Sequence, residues 1–105
     1  MAALTPVNVI GSRGQSTELG GDYKIQVLTV TPSSASDTVT LVRATDKITT
    51  ILGVFSEVVS GQDAALISSH ATFSGLVITL TTIGADGLAA TDWTGASIRL
   101  LVIGV

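Results

Sequence analysis

An all-β fold is predicted for this chain of 105 residues by three features of its sequence. Val, Ile and Thr are abundant, and their branched side chains fit a pleated strand. Gly, Ser, Asp and Pro recur at short intervals, as turns between strands require. Amphipathic helical periodicity is almost absent. We therefore predict a single antiparallel β-sandwich of Greek-key or jelly-roll type with about seven to eight strands, and a small closed barrel is the alternative.

Segments with the composition of strands follow one another along the chain, separated by turn residues. They cover residues 7–10, 23–31, 38–44, 48–59, 65–69, 76–83 and 97–103. Gly53 lies inside the fourth segment, where a glycine indicates a bulge or a bend. We expect that strand to turn a corner between two sheets. One helical turn is expected over residues 88–92.

The last predicted strand is apolar on both faces. Leu100 and its alternate neighbours point to one side, whereas Leu101 and Ile103 point to the other. A strand that is apolar on both faces is covered on both faces. In a small sandwich only one of these faces meets the core, so the second must be covered either by another subunit or by a loop of the same chain.

The length of the chain fits one domain over residues 1–105 with one hydrophobic core. Within it, residues 1–21 form a candidate N-terminal arm, because a long glycine-containing stretch runs through Gly11, Gly14 and Gly20. Long loops of this kind are often functional or become ordered by a partner. We expect the arm to reach a neighbouring subunit or another partner.

The composition favours a protein whose surface is covered by other protein. Hydrophobic residues make up 46% of the chain and charged residues only 12%, whereas about 25% charged residues is typical of soluble domains.

The net charge is −3 and the five basic residues are scattered, which argues against nucleic-acid binding. No apolar run approaches the length of a membrane span, and the first residues lack the features of a secretory signal.

The inventory of reactive side chains is too small for a typical active site. There is no cysteine, and His70 is the only histidine. No serine lies in a Gly-x-Ser-x-Gly elbow. Asp86 and Asp92 are acidic loop residues of the kind that bind calcium, but turn formation explains them equally well. We predict no catalytic, metal-binding or cofactor-binding residue.

A protein–protein interface is the one kind of site that the sequence supports. Trp93 precedes the last strand and is either a plug at the end of the core or an interface anchor, since Trp and Arg are enriched among interface hot spots. Arginines offer bidentate pairing to carboxylates of a neighbour. The candidate interface residues are Arg13, Trp93, Arg99, Leu101 and Ile103.

In overall character the chain resembles the small head decoration or cement proteins of tailed bacteriophages. The resemblance is carried by its opening Met1-Ala2-Ala3-Leu4-Thr5, by Leu76-Val77-Ile78-Thr79-Leu80-Thr81, by the Asp92-Trp93-Thr94-Gly95 turn, and by its acidic, cysteine-free, Thr/Gly/Ala/Val-rich composition. It implies a non-enzymatic virion protein that is made in the host cytoplasm and stabilises the capsid exterior. It also implies self-association, as a homotrimer, and binding to the major capsid protein.

Other functions fit the same sequence features. A structural protein of the phage tail or connector would share the same composition. A β-sandwich module that binds carbohydrate or a host surface is another alternative, although only four aromatic residues are present to line such a site: Tyr23, Phe55, Phe73 and Trp93. An enzyme is the last alternative and would depend on His70.

Overall fold

The computed structural model of the protein describes residues 2–8, 17–20 and 23–105, and these residues form an almost entirely β structure. The predicted all-β class is therefore confirmed. The strands are β1 (Ala2–Ala3), β2 (Val7–Asn8), β3 (Thr17–Gly20), β4 (Tyr23–Val30), β5 (Ser36–Thr40), β6 (Ile51–Ser60), β7 (Ser68–Ser74), β8 (Val77–Ile83) and β9 (Ser97–Gly104). The one helical element, α1 (Arg43–Asp46), is a single turn.

The strands form two sheets. Sheet A has the order β1-β5-β8-β7, and sheet B has the order β2-β4-β9-β6, with β3 also paired to β4. Among the described residues, β1 and β5 are the one parallel pair. Six strands have five or more residues, three in each sheet, so the predicted count of seven to eight is not confirmed.

One apolar core joins the two sheets. Alternate side chains of each central strand point towards it, as the two-residue period of a strand requires. The core consists of Leu28, Val30, Val39, Leu41, Ile48, Ile51, Ile78, Leu80, Ile98, Leu100 and Val102, all buried. Burial of one such side chain stabilises the fold by about 1.5–3 kcal/mol, so this cluster is the main source of stability.

The third predicted strand is too long, because α1 replaces its end. Asp46 is buried, and its Oδ2 accepts a hydrogen bond from the Val42 backbone N–H at 2.7 Å. Its Oδ1 accepts another from Gln26 Nε2 at 3.0 Å. The bond from Val42 closes a helical turn that ends at Lys47 in the left-handed conformation, and the bond from Gln26 joins this turn to β4. No helix in the described part of the chain is long and apolar enough to cross a membrane.

Gly53 marks a bulge, as predicted. The register between β6 and β9 shifts between Ile51 and Gly53. The described residues of β6 nevertheless pair with β9 alone. The predicted corner between two sheets is therefore wrong, since the bulge changes the register within sheet B.

The fifth predicted strand lies too early in the chain. Residues 63–66 form a turn instead, in which Asp63 Oδ1 accepts hydrogen bonds from the Ala65 and Leu66 backbone N–H groups. The strand itself is β7, joined to β8 by a two-residue turn in which Gly75 has a φ of 59°. A residue without a side chain adopts this conformation at low cost.

The predicted helical turn over residues 88–92 is absent. Ala89 instead makes a β-bridge with Ile83, and the Ala90 N–H donates to the Thr82 carbonyl at 3.0 Å. This pairing holds the segment against the end of β8.

The described part of the candidate N-terminal arm lies along both sheets. β1 pairs with β5, and both β2 and β3 pair with β4. The Leu4 N–H donates to the Thr38 carbonyl at 2.8 Å, and Leu4 packs against the core. Residues 9–16, which include Arg13, lie outside the described residues.

Candidate functional site

The outer face of sheet B is apolar. Residues of β4, β9 and β6 that point away from the core lie side by side in two rows, one formed by Ile25, Ile103 and Gly53 and one by Val27, Leu101 and Phe55. Tyr23 extends the face at the end of β4. We call Tyr23, Ile25, Val27, Phe55, Leu101 and Ile103 the aliphatic face, since four of the six are aliphatic.

Two aromatic residues of the aliphatic face are strongly exposed. Phe55 is 61% exposed and Tyr23 is 54% exposed. The other four side chains are half-buried by their neighbours in the sheet and do not belong to the core. Large contiguous apolar patches are rare on monomeric proteins and mark interaction sites, so this face is the strongest candidate site.

A shallow depression lies at the end of the aliphatic face that is next to Glu57 and Arg99. Its volume is about 380 Å³, and its lining consists of Val27, Phe55, Ser56, Glu57, Arg99 and Leu101. The depression is therefore apolar on one side and charged on the other. Such a combination allows a partner to bury an apolar group and to pair a charge in the same place.

Glu57 and Arg99 form the third row of this surface together with Thr29. They face each other across β6 and β9, and both side chains are exposed. Within the described residues neither makes an ion pair or a side-chain hydrogen bond. Two opposite charges on one face are thus available to a partner.

The outer face of sheet A has the opposite character. Three of its rows are Ser36–Thr81–His70, Thr38–Thr79–Thr72 and Thr40–Val77–Ser74, and a shorter row pairs Ser68 with Ile83. We call the three longer rows the hydroxyl face, because hydroxyl side chains fill every one of their positions except His70 and Val77. Hydroxyl groups hydrogen-bond to water as donors and acceptors, so this face is suited to solvent.

His70 lies on the hydroxyl face and has no catalytic surroundings among the described residues. It is exposed, and its cross-strand neighbour is Thr81. The described residues contain no group of three or more His, Asp or Glu side chains placed to bind a metal ion.

Asp86 and Asp92 act as turn residues. Asp86 Oδ1 accepts a hydrogen bond from the Leu88 N–H, and Asp92 Oδ1 accepts one from the Thr94 N–H, both at 3.0 Å. The hydrogen bonds from the backbone and the side chain of Thr94 lower the pKa of Asp92. Both carboxylates therefore stabilise the local backbone, as turn residues do.

Three of the five candidate interface residues lie together. Arg99, Leu101 and Ile103 lie on the outer face of β9, and Arg99 is exposed. Trp93 lies elsewhere, half-buried against a second small cluster formed by Leu66, Ala90 and Ala96. Its indole N–H donates to Thr82 Oγ1 at 2.9 Å. Arg13 lies outside the described residues.

The residues that complete the aliphatic face come from β4 and β6. Sequence reasoning missed Tyr23, Ile25, Val27 and Phe55 as members of this site. A signal exists for β4, since Leu28 and Val30 alternate with Val27 and Ile25 on the opposite face, as in β9. No signal in the sequence shows that β4 and β6 flank β9.

Comparisons of this chain with protein-family models, with curated proteins and with solved structures find no match. The resemblance to phage decoration proteins thus stays a prediction.

Proposed function

We propose that this chain is a non-enzymatic structural protein that works by associating with copies of itself and with a larger shell. The exposed aliphatic face of sheet B carries this proposal. Apolar surface left in water costs roughly 25 cal/mol per Å², and the chain has few charges to keep a monomer soluble. Covering the face with protein removes that cost.

The specific role that we propose is that of a decoration or cement protein on the outside of a bacteriophage head. Such a protein bridges capsid subunits and adds contact area at their junctions. A stable contact buries roughly 1,200–2,000 Å², and many linked weak contacts reinforce one another. The major capsid protein is then the second partner, the location is the virion exterior, and synthesis takes place in the host cytoplasm.

We also propose that the two sheets form a sandwich of the Greek-key or jelly-roll kind. The single core that joins them supports this architecture. The chain also passes repeatedly between the sheets: β4, β6 and β9 lie in sheet B, and β5, β7 and β8 lie in sheet A. A rigid body of this form presents two broad outer faces, which suits a subunit that must contact neighbours.

One observation favours a second candidate function. Tyr23 and Phe55 are exposed on the same face, and exposed aromatic rings are used for stacking on sugars. A module that binds carbohydrate or a host surface would use them in this way. A glycan array distinguishes the two functions, because the structural protein is expected to bind none of the glycans.

The test of the proposed function is the presence of the chain in particles together with its state in solution. We expect mass spectrometry of whole virions to find it in many copies per particle. We expect light scattering to find a discrete oligomer. The resemblance favours three copies, whereas a two-fold contact between copies favours two, so the measured mass decides between them. A soluble monomer at high concentration that is absent from virions would overturn the proposal.

A further inference from the structure

We propose that the aliphatic face of sheet B is the contact between two copies of this chain related by a two-fold axis. This inference rests on the proposed function, because it names the surface by which a self-associating protein associates. The occupant is a second copy of the chain. Three properties of the face argue for it.

The first property is its pattern of charge. Glu57 and Arg99 lie next to each other at one end of the face, and within the described residues neither is paired. A two-fold axis that runs parallel to the strands, between β6 and β9, places Glu57 of each copy against Arg99 of the other, so two ion pairs form at once. A contact of this kind is self-complementary, and the opposite charges fix its register.

The second property is the shape of the surface. Phe55 is the most exposed residue of the face, and it lies at the edge of the depression that Val27 and Leu101 also line. The same two-fold axis brings Phe55 of one copy over the depression of the other. Aromatic residues in desolvated pockets are the usual anchors of protein interfaces.

The third property is the geometry of the sheet. β4, β9 and β6 present a broad face with an unbroken apolar centre. Sheets pack face to face at about 10 Å with interdigitated side chains. The same face of a second copy can pack against it in this way. That face also carries the Glu57–Arg99 row, whereas an unrelated apolar partner would need matching charges of its own.

The direct test compares one variant on each outer face. Phe55→Glu places a charge at the centre of the contact, and Thr72→Glu places the same charge on the hydroxyl face, where Thr72 is exposed. We expect Phe55→Glu to raise the dissociation constant of the dimer about thirty-fold or more. The Thr72→Glu protein should associate like the wild type. Circular dichroism and urea unfolding establish that both variants fold.

A second test distinguishes a contact between copies from an ion pair within one copy. Glu57→Arg and Arg99→Glu each place like charges across the two-fold axis, so each protein alone should associate about tenfold or more weakly. In a mixture, the two positive side chains of the Glu57→Arg protein face the two negative side chains of the Arg99→Glu protein. We expect the mixture to form a heterodimer at least as stable as the wild-type dimer, whereas a pair within one copy predicts no rescue.

The outcomes separate this inference from the proposed function. An oligomer that Phe55→Glu leaves intact, or a mixture without rescue, overturns the inference and leaves self-association in place. A wild-type trimer that Phe55→Glu dissociates overturns the two-fold arrangement. A wild-type monomer at all concentrations overturns both proposals in solution. A wild-type dimer that dissociates in the variant and is rescued by mixing supports the inference.

Discussion

The two outer faces of this protein are built on the same plan and differ in chemistry. β8 buries Ile78 and Leu80 and turns Thr79 and Thr81 outwards. β9 buries Leu100 and Val102 and turns Leu101 and Ile103 outwards. The inner positions are interchangeable in character, whereas the outer positions contrast. The difference shows that the fold depends on the core-facing residues of each sheet. The residue types on the outer face depend on what that face contacts.

Because core packing does not determine the residues of the outer faces, their residue types indicate whether water or protein contacts each face. A threonine on a strand is well tolerated and hydrogen-bonds to water. A leucine at the equivalent place adds apolar surface that water disfavours. The aliphatic face therefore needs an explanation that the hydroxyl face does not need, and a second copy provides it.

The largest expected effect distinguishes the inner side of β9 from its outer side. Leu100 is fully buried, so Leu100→Ala should lower the free energy of unfolding by about 2–5 kcal/mol through lost burial and a cavity. Leu101→Ala should cost the monomer far less and should weaken association instead. Urea unfolding at low protein concentration measures the first effect, and sedimentation measures the second. Equal losses of stability would contradict the division between the two sides.

The next effect comes from giving the aliphatic face the chemistry of the hydroxyl face. The double variant Val27→Thr with Leu101→Thr replaces two adjacent apolar side chains by hydroxyl-bearing ones. We expect association to weaken about tenfold or more while the protein stays folded, because apolar contact is lost and polar groups must be desolvated. The matched control is Thr72→Val with Thr79→Val, which should create a second apolar face and larger aggregates.

A smaller effect is expected at Trp93, away from both faces. Its indole N–H donates to the hydroxyl of Thr82, which is fully buried. Trp93→Phe should lower the free energy of unfolding by about 1–3 kcal/mol, because a buried acceptor loses its partner. The mass in solution should stay that of the wild type. A dissociated variant would instead make Trp93 an interface anchor, the other role predicted from the sequence.

The smallest effect concerns Asp92, whose pKa is lowered by the backbone and side-chain hydrogen bonds from Thr94. A lowered pKa means that folding favours the charged form, so its contribution is complete above about pH 4 and is lost as the pH falls through the folded-state pKa. Asp92→Ala should therefore shift the urea midpoint slightly at pH 7 and less at pH 2.5. A shift that grows on acidification would contradict this sign.

Much of the core and two of the six residues of the aliphatic face were predictable from alternation along single strands. Leu101 and Ile103 follow from the apolar character of β9 on both sides, and Val39 and Leu80 follow from strict alternation. What alternation cannot give is the partner of each strand. The aliphatic face exists only because β4 and β6 flank β9, and pairing over such sequence distances leaves no local pattern.

The errors in the strand boundaries have local causes. Asp46 is of a residue type common in turns, yet it is buried, and its carboxylate accepts the hydrogen bond from the Val42 backbone N–H that closes α1. Asp63 accepts hydrogen bonds from two backbone N–H groups, so that a turn forms there and β7 begins only at Ser68. In both places a single carboxylate satisfies backbone donors that a strand would otherwise use, and no propensity scale includes such a bond.

The most direct measurement of the central claim is hydroxyl-radical footprinting of the two phenylalanines over a range of protein concentrations. Phe55 is 61% exposed on the aliphatic face of a single copy, and Phe73 is 40% exposed on sheet A. If a second copy covers the aliphatic face, oxidation of Phe55 should be suppressed at high concentration and recover on dilution, while Phe73 reacts at a constant rate. If Phe55 is oxidised faster than Phe73 at every concentration, the face is open to water and the account is wrong.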